Sequence, residues 1–152
     1  MKAKLSAKTL ERGMHLWPPF LGAGIKIREI DEDFTRVVVS LKLTRMNRNM
    51  FGTQFGGSIF MMTDPFYAIM LSKQLGPDYR VWDQSAEIEF VRPGRSSLRA
   101  TFEVSPELVA DLRKRAQRGK KVLHWFECEV VDTSNEVVAR VRKQLYIREK
   151  MK

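Results

Sequence analysis

Gly56-Gly57-Ser58-Ile59-Phe60-Met61-Met62-Thr63-Asp64-Pro65-Phe66-Tyr67-Ala68-Ile69-Met70-Leu71-Ser72-Lys73-Gln74 is the stretch on which the fold turns. Its apolar residues are too dense to share one narrow stripe, so the pattern predicts a helix apolar nearly all round. Such a helix must be enclosed by other elements. Gly76-Pro77 ends it. Asp64 and Pro65 interrupt it, and it is too short to span a bilayer, so it reads as a core helix.

Strand patterns lie on both sides. Upstream, Gly24 to Ile30 is followed by Arg36 to Leu43, where Val37, Val39, Leu41 and Leu43 share a face. Asp31-Glu32-Asp33 turns between them. Downstream, Ser85 to Val91 and Leu98 to Ser105 alternate in the same way across the Pro93-Gly94 turn. Ser105-Pro106-Glu107 predicts a helix start, and that helix runs to about Arg118. A long hairpin closes the chain: Lys121 to Val131, a turn at Asp132-Thr133-Ser134-Asn135, then Glu136 to Arg148. Val137, Ala139, Val141, Leu145 and Ile147 form its inner face. Leu5, Leu10, Met14 and Leu16-Trp17 predict a short helix over about residues 5–17, ending before Pro18-Pro19.

The expected fold class is α+β: a curved antiparallel sheet of about six strands wrapped around the central helix. A ferredoxin-like sheet under two helices is the competing arrangement. Without repeats or a flexible linker, residues 1–152 read as a single domain.

The composition is that of a globular chain, 43% hydrophobic and 30% charged. Lys and Arg number 27 against 18 Asp and Glu, for a net charge of +9. Such a surface attracts phosphates, in nucleic acid, lipid or a nucleotide-tailed molecule. Aromatic residues are not interleaved with basic ones, so nucleic acid is not the expected partner. Neither is a membrane. One cysteine, Cys128, excludes a disulfide framework and a multi-cysteine zinc site, and His15 and His124 are too few for a histidine-rich metal site. A lone cysteine and no signal-peptide pattern in Met1 to Lys8 point to the cytoplasm.

The chemistry gathers at the start of the apolar helix. Gly56-Gly57 leaves backbone N–H groups unshielded by a Cβ, and a helix N-terminus offers free donors that suit an oxyanion. Asp64 lies about two turns further on, and a carboxylate in an apolar run is costly unless paired or used. Asp-Pro is also a cap-and-first-turn signal, so Asp64 has a purely structural alternative as the N-cap of a second segment. Asn49 has one as a turn residue. Asp83 and Ser85 begin a strand near the helix. Basic residues flank the Pro-Gly turn (Arg92, Arg95) and precede the last hairpin (Arg118, Lys120, Lys121).

Asn49, the Gly56-Gly57 pair and Asp64, in that spacing, resemble the hotdog-fold acyl-CoA thioesterases. The stretch from Gly56 to Tyr67, with Trp82-Asp83-Gln84-Ser85-Ala86-Glu87-Ile88-Glu89-Phe90 and Arg92-Pro93-Gly94, is similar more narrowly to the bacterial hotdog subfamily grouped as a domain of unknown function, DUF4442. The resemblance covers roughly Gly24 to Arg148. It implies Asp64 as general base or nucleophile, the Gly56 N–H as oxyanion donor with Gly57 assisting, and Asn49 as the polar residue that orients water or thioester. It also implies that the site is shared by two subunits, in a homodimer or a dimer of dimers. The substrate would be an acyl-CoA, with coenzyme A part of the substrate, no separate cofactor and no metal. Arg92, Arg95, Lys120 and Lys121 are the candidates for its phosphates. Two departures stand out: Phe55 occupies the place where many relatives carry His, and Pro65 follows Asp64. A non-catalytic acyl-ligand binder of the same fold is the alternative. A hotdog dehydratase ranks lower, because neither histidine lies in the Asn49–Asp64 segment.

Overall fold

The structure is a computed structural model that describes residues 6–151. Leu5, the first residue of the expected helix, lies outside them. Helix α1 spans Ala7–His15, begun by the Ser6 side chain, which accepts from the Thr9 N–H. Pro18-Pro19 does more than end that helix. It starts a second one, α2 (Pro18–Ala23), because proline fits the first helical turn, where an N–H has no partner anyway. Gly24, at φ 79°, closes α2 in the left-handed region.

The strands are β1 (Ile25–Ile30), β2 (Arg36–Leu41), β3 (Tyr79–Phe90), β4 (Leu98–Glu103), β5 (Val122–Val131) and β6 (Val137–Glu149). They form one antiparallel sheet in the order β1-β2-β4-β5-β6-β3, which settles the architecture against the ferredoxin-like alternative. Between β4 and β5 the pairing is confined to Arg99 with Val131 and Ala100 with Val130. Helix α5 (Pro106–Arg115) is capped by Ser105, whose hydroxyl accepts from the Leu108 N–H at 3.2 Å. It stops short of Arg118, which has φ 59° in the short 3₁₀ turn that follows.

The predicted central helix is enclosed as expected but is not continuous. It is two helices, α3 (Gly56–Met61) and α4 (Phe66–Leu75). Pro65 cannot donate to a preceding carbonyl, and its ring crowds the turn before it. The chain tightens instead: Thr63 N–H donates to Phe60 O and Asp64 N–H to Met61 O, each three residues back. Phe66, Met70 and Leu71 of α4 are fully buried against Val39, Phe102, Val141 and Leu145 of the sheet. Each such side chain contributes about 1.5–3 kcal/mol by leaving water.

β3 begins six residues earlier than its alternation predicts, at Tyr79 rather than Ser85. A bulge hides the first half. Asp83 pairs with Leu145 and Ser85 with Gln144, so Gln84 is left without a partner and the inward phase shifts by one. Val81 and Asp83 face inward before the bulge, Ala86 and Ile88 after it. β3 is also an edge strand, paired only with β6 and exposed along most of its length.

On the outer face, arginines of β6 bridge glutamates on both sides. Arg142 pairs with Glu87 and Glu127, and Arg140 with Glu89 and Glu129. The inner face of β6 carries one residue the expected apolar set omitted. Lys143, between Val141 and Leu145, is only 1% exposed.

Candidate active site

The first half of the site is the entry to α3. Phe55 is its N-cap, in extended conformation and without a side-chain cap bond. Its carbonyl accepts from the Ser58 and Ile59 N–H groups. The N–H groups of Gly56 and Gly57 precede these and meet no acceptor among the described residues. Aromatic rings approach both glycines closely. A Cβ on Gly56 would lie 3.1 Å from the Phe90 ring, and one on Gly57 would lie 2.5 Å from the Phe55 ring. Phe55 itself is more than half exposed.

Asn49 organises the loop that leads into this helix. Its Oδ1 accepts from the N–H groups of Phe51 and Thr53, and its Nδ2 donates to Thr53 Oγ1 and Gln54 O. The side chain is thus engaged in the loop, as the turn-residue alternative expects. Gln54, next along, is 3% exposed, and its Nε2 donates to Leu41 O and Ser96 O. Its Oε1 is buried with no hydrogen-bond partner. Asn49, Gln54, Gly56, Phe90 and Arg95 line a cavity of about 620 Å³. Asp64 is not part of it.

The second half lies at the break between α3 and α4. The Asp64 side chain is 55% exposed, and its Oδ1 accepts from Lys143 Nζ at 2.7 Å. It caps nothing: Pro65 is the N-cap of α4 and no side chain bonds that end. The capping alternative is therefore set aside. Asp83 Oδ1 stands 3.3 Å from the same Nζ. Burial pushes the Asp83 carboxyl above the usual carboxylate range, with Lys143 pulling it back and Asp64 adding to the rise. The Phe60 ring lies 5.4 Å from the ammonium.

Sequence reasoning passed over Lys143. The signal was present: in Ala139-Arg140-Val141-Arg142-Lys143-Gln144-Leu145, Lys143 sits in the inward phase and breaks the apolar series. Asp83, expected at the start of a strand near the helix and able to face the site or to be a strand-end residue, points inward to Lys143; the bulge obscures that direction in the sequence.

The four candidate basic residues do not converge within one chain. Arg92 is paired with Asp132 and Glu136. Both Arg92 and Arg95 line the cavity beside Gly56. Lys120 and Lys121 precede the other end of the β5–β6 hairpin, with Lys121 over the Tyr146 ring at 5.6 Å. Arg118 is beside them, its N–H donating to Glu149.

Cys128 is buried, its thiol pushed up to about 12 by desolvation, which leaves little thiolate for a nucleophile at neutral pH. His124 packs edge-on to Phe126, burial lowering its pKa. His15 Nε2 is bonded to Ile27 O. A larger cavity, about 880 Å³, lies over the Glu–Arg ladder of the outer face and contains none of Gly56, Asn49 or Asp64. Among the described residues no cluster of His, Cys, Asp and Glu could hold a metal ion, and no helix is long and apolar enough to cross a membrane.

A sheet curled around a broken apolar helix is the hotdog fold, and solved structures share it over nearly the whole chain. PA5026 of Pseudomonas aeruginosa, a protein of unknown function described as a probable thioesterase, is 18% identical with TM-score 0.85, covering 95% of this chain and 97% of its own. The thioesterase HI1161 of Haemophilus influenzae is 14% identical with TM-score 0.68, covering 95% and 92%. The PaaI protein of the E. coli phenylacetic acid degradation operon is 21% identical with TM-score 0.64, covering 95% and 92%. At these identities the likeness is one of fold. No functionally curated protein matches the sequence. The family is nonetheless defined: residues 7–147 match the model of the domain of unknown function DUF4442, and the chain belongs to that family.

Proposed function

We propose that this protein hydrolyses the thioester of an acyl-CoA at a site completed between two copies of the chain. The observation that carries the reading is Asp64, a solvent-reachable carboxylate set in an otherwise apolar helical segment with one oxygen already held by Lys143. The acyl group lies along the apolar helix. The thioester oxygen accepts from the Gly56 N–H, with Gly57 assisting, as charge develops on it. Asp64 takes a proton from water, and the resulting hydroxide adds to the carbonyl carbon. Collapse of the tetrahedral intermediate breaks the C–S bond. The departing thiolate then takes the proton held by Asp64, leaving a carboxylic acid and free coenzyme A. Asn49 contributes by holding the loop that fixes the start of α3.

Two features support a shared site. Gly56 lines a cavity that Asp64 does not enter, so one chain presents the two halves separately. The other is the edge of β3, twelve residues long with one side unpaired, which favours a second strand. A second copy of β3, antiparallel about a twofold axis, satisfies it. That pairing brings the Lys120–Lys121 end of one copy toward the Arg92–Arg95 end of the other, a setting for the phosphates of coenzyme A. Arg95 serves there more readily than Arg92, which is already paired. A single buried thiol suits the cytoplasm as the compartment.

The test is a panel of acyl-CoA chain lengths with release of free thiol as readout, on wild type and Asp64→Asn. Release by wild type and its loss in the variant is the expected result. Tight acyl-CoA binding with no release at any chain length favours instead the non-catalytic binder, for which Phe55 in the place of His is the motivating departure.

A further inference from the structure

Lys143 is a buried charge on the inner face of β6. Its side chain is 2% exposed, whereas its partners Asp64 and Asp83 are 55% and 32% exposed. Burying an ammonium costs several kcal/mol, and attraction to carboxylates that water already screens returns only part of it. A methionine of similar length would pack among Val141, Leu145 and Phe126 at no such cost. The bulge at Gln84 adds to the case, since it turns Asp83 inward onto the lysine at the expense of a regular ladder.

We propose that Lys143 is a positioning residue, whose ammonium anchors the Asp64 carboxylate at the helix break and joins it to Asp83 in a cluster of one cation and two carboxylates. The inference rests on the reading of Asp64 as the reacting group. The continuous helix is broken at Asp64, whose side chain is 55% exposed. The bond from Lys143 fixes Oδ1 and leaves Oδ2 for water. The groups around the ammonium come from every packed element: Asp64 from the α3–α4 break, the Phe60 ring from α3, Asp83 from β3 and the Cys128 thiol from β5. The hydroxyl of Tyr67, on α4, is taken by Glu127 O at 2.6 Å.

The experiment uses the full chain as wild type, Lys143→Met, Lys143→Arg and Asp64→Asn. The Asp83 carboxyl is followed through a pH titration by ¹³C NMR, which requires no activity. Asp83 is expected to titrate higher in Lys143→Met, which loses the attracting cation, and lower in Asp64→Asn, which loses the repelling anion. Thermal melting is expected to show Lys143→Met as stable as wild type or more so. Its kcat on the best acyl-CoA falls by on the order of 10²-fold with KM little changed, the signature of a misplaced reacting group. Lys143→Arg, which keeps the charge, recovers part of the loss. A Lys143→Met protein with wild-type kcat, or an Asp83 titration that moves in neither variant, overturns the proposal. A wild-type chain that cleaves no acyl-CoA while Asp83 shifts as stated overturns the thioesterase reading and upholds the cluster.

Discussion

The two ends of helix α3 are built by opposite means. At Gly56 the chain presents bare backbone donors, with the rings of Phe90 and Phe55 close against the two glycines. At the break beyond its other end it gathers two carboxylates, Asp64 and Asp83, within ion-pair distance of an ammonium held on the sheet. The first end depends on the absence of a side chain, the second on the presence of several. The lesson is that one apolar helix can offer bare backbone donors at its entry and border a charged cluster at its break without burying an unpaired charge.

Substitutions break the comparison to different degrees. Asp64→Asn removes the acid end outright. Thiol release is expected to fall by on the order of 10³-fold or more, and the melting temperature to fall as well, because the buried Lys143 ammonium loses its nearest counter-charge. Gly56→Ala places a Cβ 3.1 Å from the Phe90 ring, beside the proposed oxyanion donor, so turnover is expected to fall by about 10-fold to 100-fold with the fold retained. Steady-state kinetics beside a melting curve reads both effects. Mixing these two variants sharpens the contrast. If the ends meet across protomers, an equimolar refolded mixture regains roughly a quarter of wild-type turnover, because each heterodimer rebuilds one intact site. A mixture as inactive as its components places both ends in one chain.

Phe90→Glu puts a charge at the exposed end of the edge strand, and sedimentation is expected to show the proposed dimer shifted to monomer, with activity lost in parallel. The smallest effect belongs to Asp83→Asn. Because burial raises the Asp83 carboxyl, the folded state favours its protonated form, so the contribution to stability is present at low pH and is lost as pH rises from the unfolded value through the folded one. Asn is therefore expected to raise the melting temperature slightly at pH 7 and not at pH 3. An equal shift at both would show that the carboxyl is not strained.

Much of this was legible in the sequence, and what was not has identifiable causes. The alternation of Val37, Val39 and Leu41 and the Ser105-Pro106 cap correspond directly to elements, because period and capping chemistry are local. Pro18-Pro19 misled by half, since proline stops one helix and starts another with the same geometry. The bulge at Gln84 erased the period of β3, so its first six residues did not read as strand. At the site, the Gly56-Gly57 pair and Asp64 stood out as chemical oddities in an apolar run. Lys143 did not, although one step of alternation places it inside. Its meaning depends on Asp64, 79 residues away, and such pairing is long-range information that periodicity does not carry.

The narrow junction between β4 and β5 has a mechanical consequence. With only Arg99–Val131 and Ala100–Val130 in register, the sheet is two three-stranded ribbons, β1-β2-β4 and β5-β6-β3, stitched at one corner. From inside, the Tyr67 hydroxyl on Glu127 O acts as a clasp on the open length of that seam. Thermal breathing therefore concentrates there, and the ribbons part before either unravels, so amide protons flanking the seam exchange with solvent ahead of those in the long hairpin.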